Sequence, residues 1–384
     1  MVELRFVFKK GNGSLLIDMK RCKRCLMPDT RPGIKFNEEG ICYPCLNAER
    51  RKQTNWKYRS LKLKEIADKH RSKDGTYDCI IPASGGKDSY FQTYFMKNYL
   101  DMNPLIVRIS DSYTHTKIGE ENLFNMCDTF GVDLLTYNLN HKLCRKMTRI
   151  AFEEFGSPNY PIDLAIYSIP LKIAIEKDIP LVVYGENISY EYGGPSAEET
   201  YSAKDQIKNN VVRQMDDSWW IKMGIPPDDL SNISYPKPEE VDILEPIYLS
   251  YFFPWDGKKN AEFSKRFGFK TLESEWIREG FIEQYDQLDS IGYLLHPLLK
   301  YPKFGHARAT DVACNWIRNG DITREEGIKL VKEHDHKIDQ RIIDDFIEFT
   351  RYTYDEFYNI MDTIYNRDLF KKEDGVWKRR FEIE

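Results

Sequence analysis

The stretch YDCIIPASGGKDS, residues 77 to 89, decides the fold. The apolar run from Tyr77 to Ala83 predicts a buried β-strand, and the residues from Lys87 onward place aromatic side chains near one face of a helix. The loop that joins them contains Ser84, Gly85 and Gly86. Glycines let backbone N–H groups approach an anion closely, and a helix N-terminus attracts negative charge. The stretch therefore predicts a phosphate-binding turn between strand and helix.

Two well-known phosphate motifs do not fit this loop. The Walker A motif needs a glycine where the chain has Ile81, and a serine or threonine after Lys87, where it has Asp88. The dinucleotide fingerprint GxGxxG does not fit either. A plain glycine turn is the structural alternative, but it gives no reason for the lysine, the aspartate and the two serines around the glycines.

Strand and helix patterns alternate beyond the loop. Further strands are predicted at Pro104–Ser110, Asp133–Asn140 and Pro180–Tyr184. Helical patterns lie between them, at Ile118–Phe130, His141–Phe155 and Ile162–Lys177. This alternation predicts an α/β fold with a doubly wound parallel sheet.

Polar residues follow the predicted strands, where open parallel sheets bind their ligands. These residues are Ser110 and Asp111 after the second strand, and Gly185, Glu186 and Asn187 after the fourth. We expect all five to face a nucleotide. Ordinary turn formation is the alternative for each of them.

Four of the eight cysteines form two CxxC pairs. They are Cys22 and Cys25 in CKRC, and Cys42 and Cys45 in CYPC, with 16 residues between the pairs. Each pair places two thiolates on one tight turn, and two such turns complete a tetrahedron, so the spacing predicts a structural zinc ribbon. An iron–sulfur cluster on the same thiolates is one alternative. Two disulfides are the other, and a reducing compartment disfavours them.

The other four cysteines lie on apolar strand or helix patterns, where a free cysteine usually fills the core. They are Cys79, Cys127, Cys144 and Cys314. Cys144 is the one that we consider as a nucleophile or sulfur carrier.

Charge is unevenly distributed along the chain. The net charge is −5, from 56 Lys and Arg against 61 Asp and Glu. Residues 20–73 contain 16 basic and 6 acidic side chains, so this segment carries +10 and the remainder carries −15. A basic segment of this kind binds RNA phosphates, docks an acidic protein or forms a solvated face.

The C-terminal third shows helical patterns. Thr323 and Glu326 form a capping-box pattern, and an apolar stripe from Ile338 to Phe349 predicts a longer helix. Ahead of them, KYPKFGHARATD gathers basic or ionisable groups within nine residues: Lys300, Lys303, His306 and Arg308. The cluster predicts an anion clamp before a helix that begins at Thr310 or Asp311, with a solvated basic loop as the alternative.

Domain organisation follows from these patterns. We expect a zinc ribbon and basic linker in residues 1–60, an α/β domain in 61–256 with an insertion near 188–241, and a helical region in 257–384. No stretch approaches the roughly 18 apolar residues that span a bilayer, and the N-terminus lacks a signal-peptide pattern. We therefore expect a cytoplasmic protein without membrane contact.

The motif SGGKDS resembles the pyrophosphate loop of the PP-loop ATP pyrophosphatases. Five blocks narrow the resemblance to the N-acetyl sugar amidotransferases of lipopolysaccharide and nonulosonic-acid biosynthesis: RCKRCLMPDTRPGIKFNEEGICYPCLNAE, ASGGKDSYF, PIYLSYFFPWD, KFGHARATD and IRNGDITREE. They lie between residues 21 and 326. His306 and Ala307 stand where the family block carries an aromatic residue and a glycine, which leaves the exact acceptor open.

The resemblance implies the chemistry. ATP would be split between its α and β phosphates, AMP would be transferred to an acetamido oxygen, and ammonia would then replace AMP to give an acetamidine. The pyrophosphate would be cradled by Ser84, Gly85, Gly86, Lys87, Asp88 and Ser89. Asp88 would help to place Mg²⁺, and Lys303 or Arg308 would neutralise a phosphate or a sugar carboxylate. ATP, Mg²⁺ and Zn²⁺ are the expected cofactors.

Ammonia is mostly protonated at neutral pH and then is not nucleophilic. A separate glutaminase subunit is therefore the expected partner, and the basic ribbon is its candidate docking surface. The alternative function is that of a tRNA-modifying PP-loop enzyme whose ribbon binds RNA, although the net negative charge makes nucleic acid an unlikely partner.

Overall fold

The computed structural model describes residues 18–194, 199–206 and 215–384. Residues 1–17 of the predicted ribbon segment, and residues 195–198 and 207–214 of the predicted insertion, lie outside the described residues. In the part of the chain that is described, none of the helices is both long enough and apolar enough to cross a lipid bilayer.

A five-stranded parallel sheet forms the centre of the α/β domain. Its strands are β1 (Cys79–Pro82), β2 (Pro104–Ser110), β3 (Asp133–Asn138), β4 (Leu181–Tyr184) and β5 (Glu245–Tyr248). They lie in the order β3-β2-β1-β4-β5, and all neighbouring strands are parallel. The predicted doubly wound sheet is confirmed. The strand order reverses between β1 and β4, which makes the crevice beyond their carboxyl ends the expected ligand site.

Helices cover both faces of this sheet. Those before β4 are α1 (Tyr43–Arg51), α2 (Trp56–Lys69), α3 (Lys87–Tyr94), α4 (Lys117–Phe130), α5 (His141–Phe155) and α6 (Tyr160–Glu176). Helix α3 continues as a π-helical turn at Phe95–Tyr99. Between β4 and β5 lie a second π-helical turn, Ser189–Gly193, and the short helices α7 (Asp217–Lys222), α8 (Pro227–Ser231) and α9 (Pro238–Asp242). Helix α10 (Gly257–Lys265) follows β5.

Side chains of neighbouring strand residues enter two different cores, one on each face of the sheet. Ile80 of β1 belongs to a core that includes residues of α5 and α6. Ile81 belongs to the opposite core, with residues of α3, α4 and α10. Because successive side chains alternate between the faces, a strand that is covered on both faces is apolar throughout. This is why the strands appear in the sequence as continuous apolar runs.

Element boundaries differ from the predicted ones by a few residues. The first strand is shorter than the predicted Tyr77–Ala83. The third ends at Asn138 instead of Asn140, because the Asn140 side chain caps helix α5 by accepting the N–H groups of Lys142 and Leu143. The helix predicted from Ile162 begins at Tyr160.

The C-terminal region is helical, as predicted, but it ends in a β-hairpin that the sequence analysis missed. Its helices are α11 (Leu295–Leu298), α12 (Lys300–Phe304), α13 (Arg308–Asn319), α14 (Arg324–His334), α15 (Gln340–Thr350) and α16 (Tyr354–Ile364). The hairpin pairs β6 (Phe370–Glu373) with β7 (Val376–Arg379). The capping box of Thr323 and Glu326 is confirmed at the start of α14.

Helix α13 begins at Arg308, so the predicted start at Thr310 or Asp311 was wrong. The cause is a partner distant in the sequence. The carboxylate of Asp335 accepts both the backbone N–H of Thr310, at 2.9 Å, and its hydroxyl. This carboxylate supplies the capping group that the local sequence lacks.

The cysteine ribbon (residues 18–48) packs against the C-terminal region. Leu26 and Met27 share a hydrophobic core with Ala313 of α13, Val331 of α14 and Phe370 of β6. The beginning and the end of the chain therefore stabilise each other.

Candidate active site

The SGGKDS loop lies at the switch point of the sheet, between the end of β1 and the start of α3. Gly86 occupies the N-cap position of α3, and no side chain caps the helix there. The hydroxyl of Ser89 turns back and accepts the N–H of Ser84 at 3.2 Å. The loop thus presents an uncapped helix N-terminus, which is a favourable site for an anion.

Each of the two loop positions is occupied by glycine for a different structural reason. Gly85 has a φ of +82°, and a Cβ there would lie 2.6 Å from the Cα of Leu123, so the fold itself requires glycine. Gly86 has an ordinary φ of −71°. A Cβ on Gly86 would meet only the Oγ of Ser84, at 3.6 Å. The protein leaves open the space beside Gly86 that a bound anion would need.

Lys87 is buried and fully engaged by carboxylates. Its side chain donates to Asp88 at 2.5 Å and to Asp286, a residue 199 positions further along the chain. Only 4% of the lysine is exposed. Burial alone would lower the pKa of Lys87, but the two carboxylates outweigh burial and raise it. The ammonium is therefore charged and held in a fixed place.

Asp286 also receives a hydrogen bond from Arg308, the first residue of α13. Arg308 is 9% exposed and lies 3.5 Å from Glu283 through its Nε. Burial would raise the pKa of Asp286, but Lys87 and Arg308 outweigh it and lower the pKa to about 2. One carboxylate thus joins a lysine of the loop to an arginine of the C-terminal region.

Asp88 and Glu186 are two carboxylates near enough for the charge of Asp88 to act on Glu186. The Asn260 side chain of α10 donates to Asp88 at 2.8 Å and fixes one carboxylate oxygen. Burial, followed by the nearby charge of Asp88, raises the pKa of Glu186 to about 7. Paired carboxylates of this kind are oxygen ligands that suit Mg²⁺. The donor set therefore fits the predicted magnesium ion.

The other two predicted residues beyond β4 have structural contacts. The carbonyl of Gly185 accepts the N–H of Ser250 at 3.0 Å, and Asn187 donates its own N–H to the Ser250 hydroxyl at 3.4 Å. In the π-helical turn after β4, Tyr192 lies within electrostatic range of Glu186 and Asp286. These contacts connect the segment after β4 with the turn that follows β5 and with the site.

Ser110 and Asp111 lie at the end of β2, beside the loop strand. Asp111 accepts the N–H of Tyr113 at 3.0 Å and lies 3.4 Å from His115. Its charge also acts on Asp289, whose pKa is raised to about 6, mainly by burial. This polar cluster forms a second group at the carboxyl edge of the sheet, separate from the ion pairs of Lys87.

The four basic groups of the predicted clamp have different surroundings and partners. Lys300 pairs with Asp311 at 2.7 Å, and Lys303 donates to the carbonyl of Gly156 at 2.7 Å. Burial, and then Lys300, lower the pKa of Lys303 to about 7. His306 is fully buried, and burial lowers its pKa to about 3, so its ring is neutral. Arg308 alone of the four reaches the ion pairs of the loop.

The four ribbon cysteines converge as predicted. Their Sγ atoms all lie within 4.8 Å of one another, and all four residues are buried. The Cys22–Cys45 and Cys25–Cys42 sulfur distances are 3.8 and 3.6 Å. Four thiolates about 2.3 Å from one tetrahedral ion have sulfur atoms at about this spacing. The geometry fits a single ion better than the wider iron–sulfur cluster, and the described thiols form no disulfide.

The ribbon and α1 contact the segment that follows β4. The Nε of Arg31 donates to the carbonyl of Gly193 at 3.0 Å, and Asn47 donates to the carbonyl of Tyr190 at 3.0 Å. Arg51 of α1 pairs with Glu191. These contacts hold both neighbours of Tyr192, so the ribbon supports one wall of the candidate site.

The C-terminal region is similar to a known family of domains. Residues 274–383 match the family model described as "LPS biosynthesis protein WbpG-like, C-terminal domain". Because of this similarity, residues 274–383 are called the WbpG-like domain below. Asp286 and Arg308 both lie inside the matched residues, so this WbpG-like domain contributes two of the charged groups around Lys87. The predicted resemblance to lipopolysaccharide-biosynthesis proteins is confirmed at this level.

One curated protein matches part of the chain. The uncharacterized protein MJ1599 of Methanocaldococcus jannaschii is 26% identical over 147 residues, which cover 35% of this chain and 52% of that protein. The chain therefore spans about half the length of this curated relative.

Two solved structures are similar at a low level. An NH3-dependent NAD synthetase from Campylobacter jejuni is 12% identical, with a TM-score of 0.28, and the match covers 49% of this chain and 94% of that one. The U34-tRNA thiolase NcsA from Methanococcus maripaludis is 10% identical, with a TM-score of 0.30, and covers 87% and 97%. The assignment of a PP-loop-type α/β fold rests on the strand order and on the SGGKDS loop between β1 and α3.

Three residues of the site were missed by the sequence analysis: Asp286, Tyr192 and Asn260. Asp286 and Tyr192 lie in segments without readable periodicity. Asn260 lies in the segment KKNAEFSKRFGF, which forms α10, and the burial that distinguishes this asparagine is visible only in the structure.

Proposed function

We propose that the protein is an ATP-dependent amidotransferase that converts the acetamido group of an N-acetyl sugar into an acetamidine and releases AMP and pyrophosphate. One observation carries the proposal: the SGGKDS loop and Arg308 of the WbpG-like domain meet at Asp286. The loop supports the ATP chemistry, and the family of the C-terminal domain supports a sugar of lipopolysaccharide biosynthesis as the acceptor.

The reaction has two steps and needs no oxidant or reductant. The acetamido oxygen attacks the α-phosphorus of ATP, the bond from that phosphorus to the β-phosphate oxygen breaks, and the amide nitrogen gives up a proton. The product is an O-adenylyl imidate. Ammonia then adds to the imidate carbon, the carbon–oxygen bond breaks, and AMP leaves with the electron pair. The acetamidine remains on the sugar.

The residues of the site supply position and charge for the first step. The backbone amides at the start of α3 and the ammonium of Lys87 stabilise the negative charge that grows on the departing pyrophosphate. Arg308 adds a second fixed cation. Asp88 and Glu186 would hold Mg²⁺, which when bound neutralises phosphate charge.

Ammonia reaches the second step from a separate glutaminase subunit in this proposal. The candidate docking surface is the exposed part of the basic segment, which includes Lys23, Arg24, Lys52, Lys57 and Lys64. Three arginines of the segment are less exposed and form ion pairs within the protein: Arg31 with Asp311, Arg51 with Glu191 and Arg59 with Glu199. Neutralising the exposed lysines should weaken glutamine-dependent turnover and leave ammonium-dependent turnover intact.

A tRNA-modifying enzyme is the second candidate, because the same exposed lysines would suit RNA phosphates. Cys144 does not support it as a sulfur carrier. The thiol is 2% exposed, and burial raises its pKa to about 12. Binding of tRNA that weakens steeply with salt, together with adenylylation of the RNA, would favour this second function.

The deciding experiment is an incubation of the purified protein with ATP, MgCl₂, an ammonium salt and candidate acetamido sugars. We expect AMP, pyrophosphate and a sugar whose mass corresponds to replacement of an oxygen by an NH group. ADP with orthophosphate as products would contradict the proposal. The variant Lys87→Ala should release no AMP and keep its full metal content, whereas Lys64→Ala, at an exposed lysine of α2, should remain active.

A further inference from the structure

Asp286 lies between two cations that come from different parts of the chain. Its Oδ1 accepts a hydrogen bond from Lys87 of the SGGKDS loop, and its Oδ2 accepts one from Arg308 at the start of α13. Each carboxylate oxygen serves one cation. The loop and the WbpG-like domain are therefore joined at the candidate phosphate site by one side chain.

The backbone that carries Asp286 is firmly held. The carboxylate of Glu283 accepts the N–H groups of Tyr285 and Asp286, both at 2.9 Å. Arg278 donates to the carbonyl of Asp286 at 2.8 Å and pairs with Glu283, and both of these side chains are fully buried. Because both the backbone N–H and the backbone carbonyl of Asp286 are hydrogen-bonded to buried side chains, the residue does not move easily when a ligand binds.

The charges explain why a carboxylate is needed at this position. Two like charges in a buried site repel strongly, because the surroundings screen them less than water does. Asp286 offsets this repulsion and keeps both cations in place before any phosphate is bound. The carboxylate remains ionised at every working pH, because its pKa is about 2.

We infer that Asp286 is a positioning residue, which holds Lys87 and Arg308 side by side so that both contact the same phosphate groups. The inference rests on the proposed function and adds a residue that the sequence did not indicate. A different role would be that of a competitor, an internal anion that occupies the phosphate position until ATP displaces it. The rigid backbone at Asp286 favours positioning.

The two roles predict opposite results for Asp286→Asn, which removes the charge and keeps the shape. The probe is inorganic pyrophosphate in the presence of MgCl₂, measured by isothermal titration calorimetry on the full-length protein. Positioning predicts that the variant binds pyrophosphate about tenfold more weakly, since a charged hydrogen bond to each cation is lost.

A double-mutant cycle with Arg308→Gln tests whether Asp286 acts through the arginine. We expect the double variant to lose less affinity than the product of the two single losses, because the second change removes an arginine that is already displaced. Asp286→Glu, which keeps the charge, should recover part of the loss. The matched control is Asp339→Asn, another buried carboxylate of the same domain, which accepts the N–H of Glu279 at 2.9 Å and has no contact with Lys87 or Arg308.

Each outcome has one meaning. Tighter or unchanged pyrophosphate binding by Asp286→Asn would overturn the inference and leave the proposed function standing. Strictly multiplicative losses in the cycle with Arg308 would also overturn it. Wild-type protein that fails to bind pyrophosphate with Mg²⁺ would overturn the proposed function itself.

Discussion

Arg31 of the cysteine ribbon forms a buried ion pair with Asp311 of helix α13, with 2.8 Å between Nη1 and Oδ1. The same guanidinium donates through Nε to the carbonyl of Gly193, next to Tyr192 of the candidate site. One side chain thus connects the ribbon, the WbpG-like domain and the segment after β4. The ribbon is part of the scaffold of the site as well as a possible surface for a partner.

The two members of this pair should differ in their effect on stability. Asp311→Ala leaves the buried Arg31 and the partly buried Lys300 without their carboxylate, so we expect a loss of about 3–5 kcal/mol in the free energy of unfolding. Arg31→Met leaves Asp311 paired with Lys300 and should cost clearly less. Urea unfolding measures both. Arg24→Met, which breaks an exposed pair with Glu49, should cost at most about 1 kcal/mol; equal losses at positions 31 and 311 would contradict this account.

Alanine at the two loop glycines should separate folding from binding. Gly85→Ala places a Cβ against the backbone of Leu123 at a positive φ, so we expect a marked fall in melting temperature. Gly86→Ala meets only the Ser84 hydroxyl and should melt close to wild type, yet its methyl group occupies the space where an anion would approach. Pyrophosphate binding should therefore be lost in the second variant. Normal binding by Gly86→Ala would exclude the loop as the phosphate site.

The cysteine site should hold one zinc ion per chain. Loss of that zinc ion should also destabilise elements at the C-terminal end of the chain. Because Leu26 and Met27 share a core with α13, α14 and β6, Cys22→Ser should speed hydrogen exchange in those C-terminal elements. Elemental analysis gives the metal content, which should stay complete in Cys144→Ser. Iron with a visible absorption band would show that the site holds a cluster.

The sequence was informative wherever one local pattern carried the information. The sheet followed from apolar runs and helix periodicity, and the strand at Pro104–Ser110 has the predicted bounds. The pairing of Lys87 with Asp286 could not be predicted in this way, because 199 positions separate the two residues and the second lies in a segment without periodicity. Contacts of this kind depend on how the domains pack.

Lys303 and Arg308 show that the sequence also fails to predict contacts for residues that are close along the chain. The two residues are close in the sequence and were expected to act together. Gly305 ends α12 in the left-handed region, with a φ of +72°, and α13 starts as a separate helix three residues later. Lys303 therefore contacts the turn at Gly156, whereas Arg308 contacts the loop site. Clustering in the sequence did not reveal which of the two reaches the site.

The carboxyl group of Glu186 should make the protein pH-sensitive in a defined direction. Burial and then Asp88 raise its pKa from 4.5 to about 7, so the folded state binds this proton more tightly than the unfolded state does. The stabilisation that comes from the protonated form is complete below about pH 4.5 and is lost as the pH rises to about 7. Glu186→Gln lacks this dependence, so without Mg²⁺ it should gain stability relative to wild type across that window, by at most about 3 kcal/mol.

Mg²⁺ should stabilise the folded state through the ionised form of Glu186, because the ion competes with the proton for the same carboxylate oxygen atoms. We expect MgCl₂ to raise the melting temperature of the wild type more at about pH 8 than at about pH 6, since less proton has to be displaced at the higher pH. Glu186→Gln should show a small shift at both values. Glu121→Gln, at an exposed carboxylate of α4 that pairs with Lys270, should behave like wild type. If MgCl₂ raised the melting temperature equally at both pH values, Glu186 would not be a ligand of the proposed metal site. A ligand that loses its proton between these pH values would make Mg²⁺ binding depend on pH.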